Sequence, residues 1–134
     1  MVKDGVDVEV RVRYAETDQM GVAYYANYLV WFEVARSEFC REKGFVYADL
    51  ETMGYRLAVT EAHCHYRNSA RYDEQLIVRT RLKDLNKRMM TFTYRILRKE
   101  GEELIAEGET RHICLDSSKK PKSLPDVFIA RLAG

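Results

Sequence analysis

A chain of 134 residues, 46% hydrophobic and 32% charged, has room for one domain with its own core and is too apolar to be disordered. Its formal net charge of +1 excludes a global field that would draw it to nucleic acid or an anionic membrane. Three cysteines (Cys40, Cys64 and Cys114) form an odd set without tight spacing, which excludes a disulfide framework and fits a reducing cytoplasm.

The first residues, Met-Val-Lys-Asp-Gly-Val-Asp, contain no apolar leader core. No apolar run approaches ~20 residues, so no membrane span is expected. Val6, Val8, Val10 and Val12 alternate with Asp7, Glu9, Arg11 and Arg13, the period of a half-buried strand ending near Tyr14. A polar stretch with a glycine, Ala15 to Gly21, follows.

From Asn27 the period changes. Tyr28, Phe32, Ala35 and Phe39 lie on one helical face, with Leu29 and Trp31 beside them. Arg36, Glu38, Arg41, Glu42 and Lys43 are expected mostly on other faces. Asn27 suits an N-cap, and Gly44 suits the position just past the C-terminus. Residues 45–55 read as loop with room for a short helix. Strands are expected over 56–68, 74–84, 89–98 and 103–115, with a tight turn at Gly101. Short turns between long strands imply antiparallel hairpins. The segment 116–125 reads as loop and 126–132 as a short closing helix. The whole is a single α+β domain over 1–134. One helix covers five strands poorly, so a second subunit is expected to complete the burial.

Chemistry concentrates in residues 13–28. Glu16 and Asp18 stand just before a helix N-terminus, whose free N–H groups and dipole favour negative charge. Such an end can hold a developing oxyanion, and a nearby carboxylate can attack a carbonyl or activate water. From the residues alone, the plainer role for Asp18 is shaping a turn or assisting a cap, with Glu16 solvated.

The run Tyr14, Thr17, Asp18, Gly21, Val22, Tyr24, Ala26, Asn27, Tyr28 resembles the signature of hotdog-fold thioesterases of the 4-hydroxybenzoyl-CoA thioesterase type. It is most similar to the bacterial Tol–Pal-associated acyl-CoA thioesterases, and the resemblance runs from about residue 6 to 130, including Ala35 to Phe39. It implies a hotdog fold, a five-stranded antiparallel sheet wrapped around one long central helix. It also implies acyl-CoA hydrolysis without a cofactor or metal, in a cytoplasmic homodimer or homotetramer with the active site at the dimer interface. Asp18 falls on the family's catalytic Asp. A backbone N–H around Tyr24 or Tyr25 takes the oxyanion role, with Gly21, Val22 and Asn27 around the substrate. This chain departs from the pattern at Glu16 (usually Asp), Ala23 (usually Val) and Tyr25 (often His), and the last change bears on acyl-chain preference.

Lys83, Lys87 and Arg88 surround a turn between strands. Such residues usually mark a solvated hairpin tip, but coenzyme A phosphates need cations, and in relatives this turn, here Asn86, Lys87 and Arg88, contacts the nucleotide. Arg67 and Arg71 are weaker candidates for the same role. His63 and His65 share one face of a strand with Cys64 on the other, and a zinc site there lacks a third ligand. Ser37 and Ser69 have no triad partners by spacing. No Gly-rich phosphate loop occurs, and the aromatics do not alternate with basic residues as a nucleic-acid surface requires. Two rivals to hydrolysis are hotdog dehydratase chemistry, whose His-x-Phe-Pro-Gly-like string is absent, and a non-catalytic acyl-CoA-binding module, which should lack Asp18.

Overall fold

The computed structural model describes residues 5–134, so the leader reading lies partly outside the described residues. Among the described residues there are five strands: β1 (Val6–Arg11), β2 (Arg56–Tyr66), β3 (Gln75–Leu85), β4 (Met89–Arg98) and β5 (Leu104–Leu115). The helices are α1 (Asn27–Glu42), α2 (Tyr47–Thr52) and α3 (Asp126–Ala133). A single 3-10 turn covers Tyr14–Glu16. All strand pairs are antiparallel, in the order β1-β3-β4-β5-β2.

The two hairpins expected around 86–88 and Gly101 form, but β2 and β3 do not pair. Instead β2 crosses to the far edge and pairs with β5, with Cys64 opposite Gly108. The turn at 67–74 therefore carries the chain across the sheet. Alternation along β3 and β4 sends Leu76, Val78, Leu82, Phe92, Tyr94 and Ile96 into the core.

Helix α1 lies on that inner face, mainly against β1 and β3. Its C-terminus closes as expected: Gly44 takes φ +97°, its N–H donates to the Arg41 carbonyl and Phe45 N–H to the Cys40 carbonyl. At the sheet, Phe32 stacks on Tyr94 with ring centroids 4.3 Å apart. This approach needs Gly108, because a Cβ there would stand 2.5 Å from the Phe32 ring.

Arg36 departs from expectation. It sits four residues after Phe32, hence on the core face, and is 8% exposed. Its Nη1 donates to the Tyr94 hydroxyl at 3.0 Å; Tyr94 is hydrogen-bonded to Thr110 (2.6 Å) and Thr110 to His112 Nε2 (2.8 Å). Burial, aided by the Arg36 charge, pushes the His112 imidazole down to about 3, so it is neutral at physiological pH.

Coverage is uneven. Along β2 the side chains are exposed or half-buried, including Val59 and Tyr66, and α1 leaves Leu29, Val30 and Val34 exposed.

Candidate active site

Between β1 and α1 the chain folds back on itself around Glu16 rather than Asp18. Glu16 is 5% exposed, not solvated. Its carboxylate accepts from Arg13 N–H (2.7 Å), Arg13 Nη2 (3.3 Å) and Trp31 Nε1 (3.1 Å). Its carbonyl accepts from Tyr24 N–H and from Asn27 Nδ2, both at 2.8 Å. One residue thus ties the loop to the first turns of α1.

Asp18 opens a tight turn. Its carbonyl accepts from Gly21 N–H (2.9 Å), and Gly21 has φ +80°, where glycine avoids the Cβ penalty. Asp18 N–H donates to the Val22 carbonyl, and Asp18 Oδ1 accepts from Met20 N–H at 2.9 Å. The turn-shaping role is therefore real, and it uses one carboxylate oxygen. Oδ2 makes no hydrogen bond among the described residues. The Asp18 carboxylate is half-buried. The Tyr24 phenol is raised first by its hydrogen bond with Tyr25 and the Tyr28 phenol first by burial, with the Asp18 charge the smallest cause at both. The loop is pinned to the sheet where Ala23 N–H donates to the Ala70 carbonyl (2.7 Å) and Val22 bridges to Arg71.

The helix start differs from the expected cap. Asn27 is the first helical residue, Ala26 before it is already helical (φ −67°, ψ −23°), and the Asn27 side chain turns back to Glu16. Of the two amides expected to hold an oxyanion, Tyr24 N–H is taken by Glu16. Tyr25 and Ala26 N–H make no hydrogen bond among the described residues. The free pair is thus Tyr25 and Ala26, with Tyr24 and Tyr25 side chains exposed beside it.

The basic turn lies elsewhere. Strand β3 starts next to Ala70 and Arg71, which hold the Asp18 loop, and ends at Leu85 just before Asn86. Eleven residues at ~3.3 Å each separate the two ends by roughly 30 Å. Within one chain, Asp18 and Lys87 or Arg88 do not meet. Asn86 Oδ1 is used by the turn itself, accepting from Arg88 and Met89 N–H. Lys87 and Arg88 carry no ion pair among the described residues. A recess of about 310 Å³ opens here, lined by Asp84, Leu85, Asn86, Met89, Thr91 and Arg111. A larger one of about 490 Å³ is lined by Arg11, Asp73, Glu74, Gln75, Arg98 and neighbours and includes neither Asp18 nor the helix start.

Several of the remaining candidates have structural partners. His63 Nε2 sits 3.2 Å from Glu61, His65 Nδ1 lies 3.2 Å from Arg67, and Arg67 pairs with Glu107 at 2.8 Å. Lys83 pairs with Glu109 at 3.0 Å, and Ser37 donates to Glu33.

The profile of the thioesterase-like superfamily matches residues 12–132. This chain belongs to that superfamily and is a thioester hydrolase. The acyl-CoA thioester hydrolase YbgC of Escherichia coli O157:H7 is 34% identical over 122 residues, 90% of each chain. Among solved structures, the DHNA-CoA thioesterase of Staphylococcus aureus is 38% identical with a TM-score of 0.87, covering 90% of this chain and 80% of that one. A Thermus thermophilus protein is 37% identical with a TM-score of 0.90, covering 96% and 95%. With these neighbours the five-stranded sheet around α1 is a hotdog fold. Among the described residues no helix is long and apolar enough to cross a membrane.

Neither Glu16's scaffold role nor Tyr66, which donates to the Tyr25 carbonyl, stands out in the sequence. Trp31 beside the family-like loop is the one signal for the former, since a buried indole N–H needs an acceptor. Tyr66 is 41 residues from its partner and has no local signature.

Proposed function

We propose that this chain hydrolyses an acyl-CoA thioester to the free acid and coenzyme A, with Asp18 as nucleophile or general base. The observation that carries this is the half-buried Asp18 carboxylate, one oxygen anchored and the other, among the described residues, unengaged, on the loop that leads into two amides at the start of α1 that make no hydrogen bond among those residues. The Tyr25 and Ala26 N–H groups receive the thioester carbonyl oxygen as charge builds on it. The ionised Asp18 either attacks the carbonyl carbon or takes a proton from an attacking water. The C–S bond breaks, the thiolate is protonated, and water supplies the second oxygen of the acid.

The working unit is a homodimer or a dimer of dimers. The exposed β2 edge and the uncovered Leu29, Val30 and Val34 of α1 offer a surface for a second copy. Lys87 and Arg88 stand at the wrong end of their own chain, so the cations for the nucleotide phosphates at each Asp18 come from the other copy. Three free cysteines support a cytoplasmic setting.

The test is thiol release from acetyl-, hexanoyl-, palmitoyl- and benzoyl-CoA by wild type and by Asp18→Asn, with circular dichroism and sizing alongside. Asn keeps the Oδ1 acceptor for Met20 but loses the base and nucleophile. Its kcat is expected to fall at least ~100-fold. Folded Asp18→Asn protein with near-normal kcat on the best substrate would overturn the assignment.

A further inference from the structure

The two amides without a hydrogen bond among the described residues belong to the segment 24–26 that leads into α1, where Glu16 holds Tyr24 N–H and Ala26 already has helical dihedrals. Tyr66, at the C-terminal end of β2, donates its hydroxyl to the Tyr25 carbonyl at 3.0 Å. Its ring meets Tyr25 and Tyr28 edge-on, with centroids 6.4 and 5.0 Å apart and both interplanar angles 87°. Among the described residues the same carbonyl accepts one other hydrogen bond, a longer one from Tyr28 N–H at 3.3 Å.

We propose that Tyr66 is a positioning residue for hydrolysis: its hydroxyl sets the orientation of the Tyr25–Ala26 peptide and so aims the Ala26 N–H at the thioester oxygen. This rests on the reading of Asp18 and the 25–26 amides given above. A trans peptide is planar, with C=O and N–H pointing to opposite sides. Fixing the Tyr25 oxygen toward β2 therefore fixes the Ala26 N–H away from it. Without the hydroxyl, the long bond from Tyr28 leaves that plane free to rock. A donor that must reorganise as charge develops stabilises it less. Tyr66 is suited to the task because its phenol stays a donor: burial, followed by the contact with Cys64, pushes it up to about 12. Because the hydroxyl is spent on the Tyr25 carbonyl, its removal is expected to alter the rate and not the binding of coenzyme A.

Tyr66→Phe removes the hydroxyl and keeps the ring with both edge contacts. Wild type, Tyr66→Phe and Asp18→Asn are compared for hexanoyl- and benzoyl-CoA hydrolysis, with ¹⁵N-labelled protein followed by NMR. A backbone nitrogen senses hydrogen bonding to the carbonyl before it, so the Ala26 resonance reports this bond directly. The expected result for Tyr66→Phe is a kcat lowered about tenfold or more, a KM within about twofold of wild type, a shifted Ala26 nitrogen and an unchanged thermal midpoint. A ring that merely packs would leave kcat and the Ala26 resonance where they are. If Tyr66→Phe keeps wild-type kcat while Asp18→Asn loses activity, the positioning role is wrong and the site stands. If Asp18→Asn keeps its activity, or wild type cleaves neither thioester, the site reading fails and takes the role of Tyr66 with it.

Discussion

Trp31 Nε1 and the Arg13 main-chain N–H both donate to the Glu16 carboxylate, so Gln at this position turns one acceptor into a donor facing donors. Glu16→Gln is expected to lower stability by about 1–3 kcal/mol in urea unfolding. Its kcat should fall far less than that of Asp18→Asn, because the carbonyl contacts to Tyr24 and Asn27 do not involve the side chain. His112 yields a second residue-scale expectation, concerning pH. In the unfolded chain it titrates near 6.5. In the fold it stays neutral until about pH 3, since burial and Arg36 oppose the charge. Between these values the unfolded state binds a proton that the native state refuses. Stability therefore falls as pH drops from 6.5 toward 3, by up to about 1.4 kcal/mol per unit from this one group. Carboxylates titrate in the same window, so the readout is the difference between wild type and His112→Gln. The variant should show the shallower slope, and equal slopes would mean that His112 is protonated in the fold.

At the scale of elements, Gly108 decides how close α1 comes to the sheet. A methyl group there would press on both the Phe32 ring and the His63 carbonyl at 2.5 Å, and neither can retreat without opening the core. Gly108→Ala is expected to lose about 1–3 kcal/mol through overpacking, seen as a lower thermal midpoint. Much of the element plan is legible in the sequence. The α1 period, Gly44 after its end, and the alternation of β3 to β5 are all local signals, and each element appears within a few residues of expectation. What escapes is set by the tertiary fold. Whether β2 pairs with β3 or with β5 depends on which edge is free once the other strands are laid down. Arg36 escapes for a different reason: its position, four after Phe32, marks it as core, and only its charge argues against this. At the proposed site, Asp18 and the helix start are the features to which the motif points. Which amides are free is not legible, because the Glu16 carbonyl consumes Tyr24 N–H through a fold-back that no periodicity encodes.

At the scale of the molecule, the separation between Asp18 and the basic turn has a consequence that single variants leave undecided. Lys87→Ala with Arg88→Ala should raise KM for acyl-CoA much more than it lowers kcat, the mark of lost uniform binding. That would hold whichever chain supplies the cations. Mixing separates the cases. One subunit carries Asp18→Asn with a native turn; the other carries Lys87→Ala and Arg88→Ala with a native Asp18. In a two-fold dimer where each site joins Asp18 of one copy to the turn of the other, the mixed dimer has one fully native site and one doubly damaged site. Random exchange of equal amounts makes half the dimers mixed, and half of their sites are native, so about a quarter of wild-type kcat/KM should return. If each chain supplies both groups to its own site, no native site is ever assembled. The mixture then gives only the average of the two damaged parents, far below a quarter. The measurement is kcat/KM at low hexanoyl-CoA before and after subunit exchange, with sizing to confirm that dimers persist. A rise to about a quarter places the phosphate-binding cations across the interface, a flat average far below a quarter puts them in a site within their own chain, and a flat average near half, from a turn variant as active as wild type, returns Lys87 and Arg88 to a solvated hairpin tip.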